Sequence, residues 1–305
     1  MLTLPVLRAA KFAWRAYYPS RLLRLYLPVF AAIVWCLLVI SVLPRQVLAH
    51  DPAAYMQDHA EGINLLKIAR DAVLLDGANS IDGPLWSLQW EMWFSLLLPL
   101  YVFVAVKLER GWLQMAFVLC AVSALGTVAV ASHPSLEYMP AFGIGALFAA
   151  ALPRVTGLAD RVNRQPGRRT AVTWVALTVV ASLLITARWT LAPVLPARLL
   201  GVTAFPVLLG AALFVFIALG SAGARRFLTT PVVRWLGMIS FSLYLTHEPI
   251  VVGVAQLLPR GLEDWSGIIS VPLSLVVGWA FYRVVEKPAH RFSQWVKQRL
   301  TPVAA

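Results

Sequence analysis

Charge is scarce in this chain of 305 residues: only 13% are Asp, Glu, Lys or Arg, whereas 60% are hydrophobic and the mean hydropathy is +0.74. That shortage excludes an ordinary soluble globular domain, in which roughly a quarter of the residues are charged. Cysteine is nearly absent too. Cys36 and Cys120 each sit inside an apolar run, which excludes a disulfide framework and a thiolate metal site. The five histidines are scattered without the spacing of metal ligands, so no metal site is expected. Arg8, Lys11 and Arg15 near the amino terminus are not followed by a short apolar core and a small-residue cleavage site, so no cleavable leader is expected. No internal repeat is visible, and the loops leave no room for a separate soluble domain.

What the sequence has in abundance is long apolar runs. A helix rising about 1.5 Å per residue needs roughly 20 of them to cross a hydrocarbon core about 30 Å thick. Eight runs qualify, approximately 25–44, 85–106, 113–131, 138–152, 171–191, 199–220, 235–258 and 267–285. The fourth is short but carries Gly143, Gly145, Ala146 and Ala149, a pattern that suits close helix packing. The net charge of +12 and pI near 10.3 would point a soluble protein toward nucleic acid. Here the basic residues lie between apolar runs, where they orient helices, and no nucleic-acid partner is expected. With the amino terminus inside, 19 of the 26 lysines and arginines fall in the inner segments and six in the outer ones, with Arg283 at the inner end of the last run. The expected architecture is therefore all-α: a single polytopic membrane helix bundle over residues 1–305, about eight transmembrane helices, both termini cytoplasmic. The one long outer segment, from about Arg45 to Pro84, carries Asp51, Asp58, Glu61, Asp71, Asp76 and Asp82, and its middle suits a short amphipathic helix. Residues 286–305 read as a basic cytoplasmic tail, with Phe292, Trp295 and Val296 on an interfacial helix.

Several polar residues stand where lipid would penalise them. A carboxylate such as Glu91 near the bilayer centre costs about 2.5–3.5 kcal/mol, so it should face protein or water. Ser87, Glu91 and Ser95 recur every four residues and form one helical stripe, flanked by Trp86, Trp90 and Trp93, which suit either an interfacial anchor or the wall of a substrate groove. Pro99 removes a backbone donor and should leave the Ser95 carbonyl without its usual partner. The seventh run repeats the pattern with Ser240, Tyr244, His247 and Glu248. Its apolar residues supply roughly −3 to −6 kcal/mol of insertion energy, which one buried charge nearly cancels. Pro249 should kink this helix and free the Leu245 carbonyl. His247 suits a general acid or base, a donor to substrate, or the partner of a carboxylate. Glu91 suits a reacting or a purely structural role. Arg21 and Arg24, three apart at the inner mouth of the first span, suit clamping a phosphate or carboxylate, and equally suit positive-inside anchoring.

At these same residues the sequence resembles the acyltransferase 3 family, bacterial membrane O-acyltransferases that modify surface polysaccharides and related glycans. Residues 21–28 (Arg-Leu-Leu-Arg-Leu-Tyr-Leu-Pro) resemble its Arg-x-x-Arg segment. Residues 83–99, containing Leu-Trp-Ser-Leu-Gln-Trp-Glu91, resemble its Leu-Trp-Ser-Leu-x-x-Glu helix. Residues 235–249, with Tyr244-Leu-Thr-His247, resemble its Ser-Tyr-x-x-Tyr-Leu-x-His helix, and Glu286-Lys287-Pro288 matches its usual ending. The resemblance implies transfer of an acyl group, commonly acetyl, from a cytoplasmic acyl-CoA to a hydroxyl of a glycan or similar acceptor, in the bacterial inner membrane. Acyl-CoA would be a co-substrate, with no permanently bound cofactor. It places Arg21 and Arg24 near the donor entrance, and Glu91 and His247 along the route as catalytic candidates, lined by Trp86, Ser87, Trp90, Ser240, Tyr244 and Glu248.

One departure stands out. The family ordinarily opens with two further helices, the first bearing an arginine and, eleven residues later, a histidine taken as the catalytic base. Here Val39, Leu48, Val122, Leu236 and Trp279 lie eleven residues before the five histidines. The expectation is a true start upstream, testable by reading the preceding DNA. A transporter or flippase for a lipid-linked glycan, or a shortened inactive scaffold, are the other classes these residues fit.

Overall fold

The computed structural model describes residues 3–8, 12–43, 63–128, 134–258, 262 and 265–301. Among them every regular element is helical. We label α1 (Thr3–Arg8), α2 (Trp14–Val42), α3 (Leu65–Val73), α4 (Leu85–Leu96), α5 (Leu98–Leu108), α6 (Trp112–Val128), α7 (Pro134–Ala150), α8 (Leu152–Asn163), α9 (Gly167–Ile185), α10 (Ala204–Gly220), α11 (Pro231–Leu257), α12 (Ser266–Phe281) and α13 (Lys287–Leu300). A polytopic all-helical architecture is thus present. Among the described residues six helical runs are long and apolar enough to cross a membrane, or seven if α7 and α8, bent by 77° at Ala151, form one broken span. The expected count of eight differs because the second run is not one helix. It breaks at Leu97, ahead of Pro99, into α4 and α5, and α5 continues through a 3₁₀ turn into α6 as a single run, Leu98–Val128.

The chain forms two compact units, Met1–Phe12 with Leu96–Val233, and Ala13–Ser95 with Arg234–Ala305. The first is held by close helix contact. A Cβ added at Gly126 of α6 would lie 2.7 Å from the Leu136 Cβ of α7, and one at Gly143 would lie 3.0 Å from Leu119 Cδ1. The small-residue pattern of the fourth run therefore does bring helices together at Gly143 and the buried Ala146, while Gly145 faces open space.

The second unit is built on α2. Leu25, Val29, Ala32 and Ile33 of α2 pack with Leu85, Leu88 and Met92 of α4, Leu245 of α11, and Leu74 and Ala78 of the segment before α4. This cluster sets α2, α4 and α11 side by side. α11 runs unbroken through Pro249. α12 widens into a π-helical stretch, Tyr282–Glu286, and passes into α13, which lies along α2 with Phe292 and Trp295 exposed. The expected amphipathic helix of the outer segment is α3, two-sided in composition and burying only Asp71. Asp51, Asp58, Glu61 and Arg45 lie outside the described residues.

Candidate active site

Asp71, on the inward face of α3, is fully buried and shapes the approach to α4. Its carboxylate accepts three backbone N–H groups, from Ser80 at 3.0 Å, Ile81 at 2.7 Å and Asp82 at 3.2 Å. Burial raises its pKa, and these donors offset only part of that rise. The chain reaches this turn through Leu74 at φ +56° and Gly77 at φ +63°, left-handed positions that reverse its direction after α3. It is pinned further by Tyr26, whose hydroxyl donates to the Val73 carbonyl at 2.6 Å, and by the Trp93 indole, which donates to the Leu75 carbonyl at 3.1 Å.

From that anchored turn α4 presents a polar stripe of period four. Ser87, Glu91 and Ser95 follow one line that at about 1.5 Å per residue extends roughly 12 Å, and Gly83, in the turn just before α4, continues the same spacing of four. Each rung meets a side chain from α2 or α11. At Ser95 and Glu91 the partner is Arg21: its Nε donates to Ser95 Oγ at 3.2 Å, and its Nη2 forms an ion pair with Glu91 Oε1. Arg21 is 12% exposed and Glu91 35%. The Ser95 carbonyl, freed by Pro99, accepts from the buried Tyr17 hydroxyl at 3.3 Å. At Ser87 the partner is the Tyr244 hydroxyl, at 2.7 Å, and the Ser87 hydroxyl also reaches the Pro84 carbonyl at 3.3 Å. At Gly83 the backbone N–H donates to Glu248 Oε2.

His247 stands next to this line. Its ring stacks on Tyr244 with centroids 6.0 Å apart, and Nδ1 lies 2.9 Å from the Tyr244 carbonyl oxygen. A carbonyl only accepts, so Nδ1 is the donating nitrogen in this contact and Nε2 is the one left for another partner.

The structure therefore joins Arg21 with Glu91, Ser87 with Tyr244, Tyr244 with His247, and Glu248 with the start of α4. Arg24 does not share the Arg21 site; it is exposed and lies within electrostatic range of His290 on α13. Ser240 is also apart from the stripe, exposed and bonded to the Gly237 carbonyl of its own helix at 3.0 Å, because the first turns of α11 are largely exposed. Trp86 is exposed and Trp90 half-buried. Glu91 and His247 occupy different rungs, connected through Ser87 and Tyr244.

Two arrangements escaped the sequence reading. Ser242 donates to Glu286 Oε2 at 2.5 Å, tying α11 to the π-helical stretch. The signal was the Glu-Lys-Pro ending, which names a residue but no partner. Asp82, counted only among the outer acids, is 0% exposed and adjoins Glu248. Its position in Asp-Gly-Pro at the mouth of an apolar helix was the available clue. Among the described residues no group of three or more His, Cys, Asp or Glu is disposed to hold a metal ion.

Comparison with known proteins adds one match. The family model for an acyltransferase domain, that of acyltransferase 3, covers residues 1–283, nearly the whole chain. Neither curated proteins nor solved structures give a match.

Proposed function

Because the chain belongs to the acyltransferase 3 family, we propose that this multi-helix membrane protein moves an acyl group, acetyl in the simplest case, from a cytoplasmic acyl-CoA to a hydroxyl of a cell-surface glycan or related acceptor. Its place is the bacterial inner membrane, where a donor on one side and an acceptor on the other require a protein-lined passage. The observation that supports this is the line of polar rungs on α4, each met by a side chain of α2 or α11 within one unit.

In this reading His247 Nε2 takes the proton of the acceptor hydroxyl as its oxygen attacks the thioester carbonyl. The tetrahedral adduct then expels the CoA thiolate, and the imidazolium returns the proton to sulfur. The products are an ester and free CoA thiol, with no net proton change. Arg21, held by Glu91, and Arg24 serve the anionic donor near the basic end of α2. Trp86, Ser87, Trp90, Tyr244 and Glu248 shape the route.

The test is release of CoA thiol from acetyl-CoA by the protein in liposomes, with and without candidate glycan acceptors. Acceptor-dependent release, lost in His247→Ala, is the expected result. A transporter or flippase is the second reading, favoured by the broken helix α4–α5 in a chain that carries Glu91 and His247 within apolar helical runs. Movement of a lipid-linked glycan without thiol release would establish it and remove the enzyme. Neither activity, from protein that is inserted and folded, would leave an inactive scaffold.

A further inference from the structure

Asp82 sits at the outer end of the polar line in surroundings that no ionised carboxylate tolerates alone. It is 0% exposed, and neither of its oxygens accepts a hydrogen bond from a nitrogen or hydroxyl donor. Among the described residues, every charged or titratable group facing it is acidic or weakly so. Glu248 on α11, 2% exposed, brings its carboxyl within hydrogen-bonding reach. Asp71 on α3 adds a second negative charge, and the thiol of Cys36 on α2 contributes one weak hydrogen bond, which eases the conflict only slightly. Tyr244 lies close enough to feel both acids. Asp71 is not a rescuer, because its own oxygens are taken by the backbone N–H groups of Ser80, Ile81 and Asp82. Among the described residues no Lys or Arg enters this group. Glu248 Oε2 is held by the Gly83 N–H, so its carboxyl is fixed in orientation.

Two carboxylates in this position repel one another in a medium that screens little, and an unpaired buried charge is among the most costly groups a protein can hold. One proton removes the conflict: a protonated carboxyl donates to the other, which stays ionised and keeps its bond to Gly83. That proton supplies both the strong donor and the positive charge that the Cys36 thiol, among the described residues, does not.

We propose that Asp82 and Glu248 form a proton-binding pair that shares one proton and latches the turn 80–84 onto α11. The latch matters for the rest of the line because the turn starts α4, and Ser87 meets Tyr244 one helical turn further on. Burial first, and the charge of Glu248 second, push the Asp82 pKa well above the carboxylate range, in agreement with the geometry. The sign follows from linkage: the folded state holds a proton that the unfolded chain releases, so stability falls as pH rises from the ordinary carboxylate range toward the raised folded value. This inference is independent of the acyl-transfer reading and would survive its failure.

The experiment is infrared spectroscopy of the full chain in nanodiscs at neutral pH, with thermal unfolding across pH on the same samples. A carboxylic-acid carbonyl band is expected in the wild type, moved by exchange into heavy water, and lost in both Asp82→Asn and Glu248→Gln. Asp82→Asn supplies an amide donor in place of the acid, so it should fold and show a flatter stability–pH profile. Asp82→Ala removes the donor and should unfold at lower temperature than Asp82→Asn. Absence of the band in folded wild type would overturn the proposal, as would stability that depends on sodium or calcium ions without such a band. Should Asp82→Asn fail to fold, the band and its loss in Glu248→Gln still decide.

Discussion

The two units bury different groups between helices that approach closely in both, since in the second unit too a Cβ at Gly278 would lie 2.9 Å from Leu243 Cα. In the unit of residues 96–233, helices meet backbone to backbone. A Cβ at Gly220 would fall 2.5 Å from Ala159 Cβ and 2.7 Å from the Trp174 ring, and one at Gly210 would fall 2.8 Å from the Ile185 amide nitrogen. Its buried clusters are apolar, built on residues such as Cys120, Ile144, Phe148 and Ile217, and a small cavity of about 100 Å³ between α5, α6 and α7 is lined by residues such as Val104, Met115, Leu119 and Leu147. In the other unit, α2, α4 and α11 meet through an apolar cluster on one side and through Arg21, Glu91, Ser87, Tyr244 and Glu248 on the other. Groups that pay insertion energy for no packing gain are concentrated where chemistry is expected. The comparison suggests a scaffold half and a reacting half.

That division can be broken by substitution, and the largest effect is expected at His247. His247→Ala should lower transfer by about 10²–10⁴-fold, the usual contribution of a general base, with little loss of folded protein. Turnover per folded molecule is the measurement, and full activity would remove the residue from the reaction.

Gly220→Val should act in the opposite sense. Overpacking costs about 1–3 kcal/mol, and here the new atoms meet Ala159 and the Trp174 ring, so the folded fraction drops while turnover per folded molecule holds. Thermal unfolding in detergent reads the first quantity and an activity assay normalised to folded protein reads the second.

Tyr244→Phe is a smaller perturbation. It removes one hydrogen bond to Ser87, worth about 0.5–1.5 kcal/mol, and the ring that stacks on His247 remains. A modest fall in stability is expected, with a larger fall in kcat than in donor affinity if the hydroxyl helps set the His247 rung.

The smallest effect belongs to the exposed ion pair of the scaffold half, Arg154 with Glu109 at 3.2 Å. Both are more than a third exposed, so Glu109→Gln should change stability by about 0.5 kcal/mol or less, and less still in high salt. A loss well above about 1 kcal/mol would contradict the reading of this pair as solvent-screened.

Much of this was legible in the sequence because hydrocarbon is an unforgiving solvent. Glu91 and His247 announce themselves as polar groups within apolar runs, and the freed Ser95 carbonyl follows from Pro99 alone. Its partner does not: Tyr17 is 78 residues away, and only the folded chain brings its hydroxyl to that carbonyl. Depth was equally hidden. Asp82 reads as a surface acid because sequence gives charge without burial, and it is the turn fixed by Asp71 that buries it. Arg24 shows the converse, since a spacing of three suggested a shared anion site with Arg21, while Glu91 takes one guanidinium and Arg24 stays exposed. The run across Pro99 was also misread as one helix, because hydropathy continues there but the helix does not, and the described residues give six or seven candidate spans.

The most direct measurement compares Glu91→Gln with Gly220→Val, recording folded fraction and acyl-transfer turnover on the same preparations. The account predicts that Glu91→Gln yields folded, inserted protein with turnover severely reduced, and that Gly220→Val yields less folded protein whose turnover per molecule is unchanged. The reverse pattern, active Glu91→Gln and a well-folded but inactive Gly220→Val, would contradict it.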